Sequence, residues 1–130
     1  MNLVSQNYLQ NIKEKRINEY RTRYSEMEAF VQKKEEIFAS FFFELICQEL
    51  TVNFEPFGIR ADEAFLNNGL PQGWKVDTNR ISTLILDKFP EDYGVTIKYI
   101  DGCHNHHKLI GTYPGFWVEQ DWFNTEETDE

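Results

Sequence analysis

Apolar and polar positions divide the chain into an opening helical third and a mixed remainder. Residues 5–51 contain neither proline nor glycine, and their apolar residues recur at three- and four-residue spacing, the pattern of an amphipathic helix. Ile17, Tyr24, Val31, Phe38 and Leu45 share one heptad position, and Tyr20, Met27 and Phe41 take the partner position three residues on. Lys13, Lys34 and Gln48 interrupt that second row. The helix-pairing seam is therefore imperfect, and it centres on Ile17, Tyr20, Tyr24, Met27 and Val31. One continuous helix here would run about 65–70 Å at 1.5 Å per residue, whereas a compact domain of this size has a radius of gyration of about 14 Å. Such a helix must project from the body and meet a partner, or break and fold back. Ser25-Glu26-Met27-Glu28 has the spacing of a capping box and is where a helical hairpin would turn. No Gly, Pro or Asn supports a loop there, so continuity is expected.

The two halves of this stretch differ. Up to Lys34 the faces are charged, while from Ile37 to Leu50 apolar residues fall on nearly every side, which marks a helix buried in a core. Beyond it, Val52-Asn53-Phe54-Glu55 alternates like a short strand ending at Pro56, with Phe57-Gly58-Ile59 as a turn. Residues 60–67 read as a short helix, followed by a loop that carries Trp74 into the core. Asp77 or Thr78 caps a second helix through Ile81, Leu84, Ile85 and Phe89, which Pro90 stops. The clearest strand is Gly94–Asp101, with Val95, Ile97 and Tyr99 on one face. A loop at 102–107, a strand at 108–113, a turn at Pro114-Gly115 and a strand at 116–120 complete the reading. The expected fold is α+β, a long N-terminal helix packed on a small antiparallel β-meander with one or two short helices. Its parts are the helical 1–51, the α/β body 52–123 and an acidic tail, 124–130, without apolar residues and expected to be disordered.

Charge sharpens this division. Residues 1–34 hold seven Lys/Arg against four Asp/Glu, a net of +3, and residues 35–130 hold six against eighteen, a net of −12. An acidic body repels phosphate and favours basic protein surfaces. Lys13, Arg16, Arg21 and Arg23 on the opening helix sustain a second reading, nucleic-acid binding. With two cysteines in unlike contexts, Cys47 on an apolar helix and Cys103 beside histidines, no disulfide framework is expected. No N-terminal apolar segment resembles a signal peptide, and the most apolar run is too short to cross a bilayer. A cytoplasmic protein is the expectation.

Reactive side chains cluster once, at Cys103-His104-Asn105-His106-His107. On extended chain His104 and His106 point to the same side, a spacing that lets two imidazoles bind one zinc ion. Cys103 or His107 would join only with a turn in the backbone. A polar loop that happens to contain histidine is the simpler account, so no cofactor is expected, and a metal-binding or metal-dependent protein that uses Cys103, His104, His106 and His107 to hold zinc is the alternative. The letters His104-Asn105-His106 are not a nuclease HNH motif, whose residues lie far apart in sequence. Neither a phosphate-cradling glycine loop nor a nucleophile elbow occurs. After the last strand, Glu119, Asp121, Trp122 and Phe123 combine carboxylates with aromatic rings, which are enriched at interface centres. Together these features point to a non-catalytic protein-binding module (an inhibitor, immunity-type or adaptor protein) that offers an acidic surface to a basic partner, in one version at that partner's nucleic-acid-binding site. A homodimer through the helix seam is expected with it.

Overall fold

The computed structural model describes residues 5–104 and 111–123 of the chain. Its first element, α1 (Gln6–Leu50), is a single uninterrupted helix of 45 residues, so Ser25–Glu28 is not a break. Ser5 caps its start, the hydroxyl accepting from the Tyr8 amide at 3.1 Å. Past Leu50 the amides of Val52 and Asn53 both donate to the Glu49 carbonyl, at 3.1 and 3.0 Å. The segment expected to be a strand is thus spent on closing the helix, whose last carbonyls need donors.

The strands are β1 (Phe57–Arg60), β2 (Val95–Cys103) and β3 (Tyr113–Gln120), joined between β1 and β2 by the short helices α2 (Glu63–Leu66) and α3 (Thr78–Leu86). They form one antiparallel sheet in the order β1-β3-β2. Two expectations change here. Phe57-Gly58-Ile59, read as a turn, is the edge strand β1, and Pro114-Gly115, also read as a turn, lies inside the central strand β3. Proline is tolerated there because the β2 register slips between Ile100 and Cys103, leaving no ladder bond for Pro114 to donate. Gly115 allows the close approach of β1, since a Cβ at that position would collide with the Ile59 carbonyl oxygen. The expected strand at 108–113 lies largely outside the described residues; of its described part only Tyr113 is strand.

Val31, Ala39, Phe42 and Ile46 of α1 are buried against the sheet and α3. Phe42 packs on Phe116 with the rings tilted and their centroids 4.9 Å apart, and Ile81 and Ile85 of α3 are fully buried. Asp77 caps α3 by accepting from the amides of Asn79 and Arg80 at 3.0 and 3.2 Å. A buried carboxylate joins the two helices. Glu35 accepts from the Asp77 amide at 2.6 Å and from Arg80 Nη1 at 2.7 Å. Trp74, expected inside, is only half-buried and packs on Tyr24 at 5.0 Å. From Ser5 to Phe30, every α1 residue but Glu19 and Met27 is exposed, so the first half of the helix projects from the body as a rod.

Candidate functional site

Five of the body's carboxylates meet at one groove. The turn after α3 carries Asp87, Glu91 and Asp92, and the end of β3 carries Glu119 and Asp121; all five carboxylates line an open groove of about 980 Å³ together with Phe89 and Tyr93. Among the described residues no Lys or Arg lines it. The turn that forms the groove floor is tight. Asp92 has φ 60° and Gly94 φ 86°, left-handed values that suit a short polar side chain and a glycine. The Asp121 amide donates to the Gly94 carbonyl at 2.9 Å, which brings the end of β3 against the start of β2.

Aromatic rings brace the same groove. Phe43 of α1 meets Phe89 at 5.0 Å, Phe89 stacks on Tyr93 at 5.4 Å, and Tyr93 meets Trp122 edge-on at 5.2 Å. Trp122 Nε1 donates to the Tyr93 carbonyl at 2.6 Å, and Phe123 meets Phe54 at 5.1 Å. The series runs from the core to the surface, and Trp122 and Phe123 stay partly exposed at its outer end. Of the partner-contact candidates, Glu119 and Asp121 line the groove, Trp122 buttresses it, and Phe123 packs beside Trp122 at 6.1 Å. Sequence reasoning missed Asp87, Glu91 and Asp92. Their clustering around Pro90 was visible, but nothing local tied that turn to the end of β3.

The seam residues divide. Val31 is buried and Met27 half-buried, Tyr24 packs on Trp74, and Ile17 and Tyr20 are exposed. Tyr20, Tyr24 and Met27 face Pro71, Gly73 and Trp74 across a second groove of about 750 Å³. The lower seam is therefore packed on its own domain.

The basic residues do not form a stripe. At 100° per residue, Lys13, Arg16, Arg21 and Arg23 spread over roughly 160° of the helix circumference, and Arg16 is held by Glu19 at 2.7 Å.

In the histidine cluster, His106 and His107 lie outside the described residues. Cys103 is fully buried, and burial pushes its thiol from 9.0 up to about 11. A thiol held protonated at neutral pH is a poor metal ligand and a poor nucleophile. His104 is exposed and stacks on Trp117 at 5.0 Å. No group of three His, Cys, Asp or Glu able to hold a metal ion occurs among the described residues. No described helix is long and apolar enough to cross a membrane. Neither protein-family models nor curated proteins nor solved structures yield a match to this chain.

Proposed function

We propose that this is a non-catalytic protein-binding module whose acidic groove receives basic side chains of a partner protein. One observation carries the reading: five carboxylates converge on a groove with aromatic walls and without a basic residue among the described lining. Lys and Arg fit such a place twice over, by charge and by laying their aliphatic stems and cationic heads on ring faces. Inhibitor, immunity-type and adaptor roles all use a surface of this kind. The projecting half of α1 adds self-association, because an exposed helix with apolar side chains gains stability from a second helix. Two free cysteines far apart in the chain, Cys47 and Cys103, suit a reducing cytoplasm.

A short arginine-rich peptide is the probe, with binding measured by titration calorimetry. Reversing Glu91 and Glu119 together (E91K/E119K) should weaken it at least tenfold, and raising ionic strength should weaken it progressively. Reversing two exposed carboxylates on the rod, Glu14 and Glu28, should leave it nearly unchanged. Binding that ignores both the groove reversal and the salt refutes the groove as the site.

A further inference from the structure

A second row of apolar side chains runs along α1 on the side away from the body. Tyr8, Ile12, Phe30, Ile37 and Phe41 are exposed to between 45% and 58%, although Ile37 and Phe41 lie where α1 is embedded in the body. At 100° per residue these five positions, with Arg23 and Glu26, fall within about 60° of arc. They form one face distinct from the seam, which cannot serve two copies along its length because Val31 is buried and Tyr24 already packs on Trp74.

Most of this row is self-complementary when reversed, the exception being Phe30, which meets Glu19 of the second copy. Pair each residue with the one whose number completes a sum of 49, and Tyr8 meets Phe41, Ile12 meets Ile37, and Arg23 meets Glu26. An isologous two-fold pairing requires this kind of match, since residue i touches residue j and j touches i. Reach agrees with it. The two-fold would pass between Tyr24 and Ser25, leaving about 28 Å of helix back to Gln6 on one side and about 28 Å on to Phe43 on the other, the latter embedded from Val31. The five apolar residues alone expose on the order of 500 Å² per copy, most of the roughly 800 Å² that a standard interface takes from each partner.

We infer that two copies pair antiparallel through this face, the projecting rod of each lying along the embedded half of α1 of the other. The inference rests on the self-association part of the proposed function and leaves the groove free, since Pro56 and residues 86–87, 89–96 and 119–121 line that groove and the row includes none of them. On the two edges of this face, one residue off the exact pairing, Lys15 lies beside Lys33 of the second copy, and Arg16 beside Lys34. These like charges weaken the pair and make a gain of affinity available.

Disulfide mapping tests the arrangement. Within one chain Ile12 and Ile37 are about 37 Å apart along the helix, so in the I12C/I37C variant a 12–37 disulfide forms only between chains. Oxidation should give a covalent dimer whose mapped peptides join 12 to 37. Light scattering should show a dimer for the native chain and a monomer for Ile37→Asp, with helical content otherwise kept because the side chain is exposed. Lys15→Glu should tighten the dimer by roughly fivefold, placing an acid beside Lys33 of the second copy, a gain that mere damage to the helix cannot produce. A native monomer removes self-association itself. A dimer that links 12 to 12, or that ignores Ile37→Asp and Lys15→Glu, keeps self-association and overturns this face and register. Arginine-peptide binding by the groove is read separately in every case.

Discussion

The two halves of α1 share one backbone, one absence of glycine and proline, and opposite reasons for being helical. From Val31 to Ile46 the helix holds because Val31, Ala39, Phe42 and Ile46 are buried under the sheet and α3. From Gln6 to Tyr20 no described residue is buried, and the local supports are the Ser5 cap, the Arg16–Glu19 pair and a Gln10–Glu14 hydrogen bond. Local supports of this kind contribute a few tenths of a kcal/mol for a side-chain pair and about 1 kcal/mol for a cap, whereas burying one large apolar side chain contributes about 1.5–3 kcal/mol. A helix can thus be continuous in geometry and discontinuous in stability.

The largest effect should come from the embedded half. Phe42→Ala removes a side chain 2% exposed and in ring contact with Phe116, Phe38 and Phe41. A loss of about 3–5 kcal/mol in urea unfolding is expected, from transfer and cavity terms together. If Phe42→Ala and Tyr20→Ala, whose side chain is 68% exposed, cost the same, the contrast between the halves is wrong.

Glu35 comes next. Its side chain is 4% exposed against 36% for Arg80, so truncating it to alanine leaves Arg80 and the Asp77 amide without their shared acceptor. Breaking such a buried pair costs about 3 kcal/mol or more. Arg80→Ala should cost less, since Glu35 retains the Asp77 amide and Arg80 lies nearer solvent. A reversed order would show that solvent already serves the carboxylate.

Alkaline pH probes the body by a different route. Burial raises the Cys103 thiol from 9.0 to about 11. Burial, and then the nearby carboxylates of Glu63, Asp101 and Asp62, raise the Tyr99 phenol from 10.0 to about 12. Both acids hold their protons more tightly in the folded state. Their contribution is fully present below the unfolded values and is lost as pH rises from about 9 to about 12. For Cys103 the loss is roughly 2–3 kcal/mol. Tyr99 adds a smaller share because solvent reaches part of its ring, although its hydroxyl must stay protonated to donate to the Ala61 carbonyl at 2.7 Å. Urea midpoints taken across this range should fall, and Cys103→Ala should flatten the first part of the fall. A midpoint that stays level through pH 11 would place Cys103 in contact with solvent.

How much of this the sequence displays depends on whether the cause is local. The rod is legible because helicity needs only periodic apolar residues and no breaker, and α3 because Asp77, Ile81, Ile85 and Pro90 mark its cap, its face and its stop. Glu35 is illegible. It sits in Lys33-Lys34-Glu35-Glu36 and reads as solvent-facing, while Arg80 lies 45 residues away. The groove is half legible: Glu119, Asp121 and Trp122 stand out as charge and aromatic beyond a strand, but it takes the Gly94–Asp121 and Tyr93–Trp122 contacts to bring Asp87, Glu91 and Asp92 to them. The row through Phe30, Ile37 and Phe41 was hidden for another reason. Apolar residues on all sides of a segment signal burial on all sides, and the body covers only part of it.

The smallest effect, and the one that most sharpens the contrast, belongs to the rod. Arg16→Ala removes an ion pair whose side chains are 73% and 38% exposed. Global stability should change by no more than about 0.5 kcal/mol, because water screens both charges and the pair holds no packed neighbour in place. Local stability should respond more visibly. The rod's amides protect themselves only through helix hydrogen bonds that open from the frayed end, so in dilute monomer those from Ile12 to Tyr20 should exchange far faster than those from Phe38 to Ile46, which open only with the whole domain. Arg16→Ala should speed exchange in the first group and leave the second untouched. Raising protein concentration should slow the first group alone if a second helix covers it. Rod amides that exchange as slowly as the core in dilute monomer would mean that α1 is one cooperative unit, and that its free half is held by something other than the contacts described above.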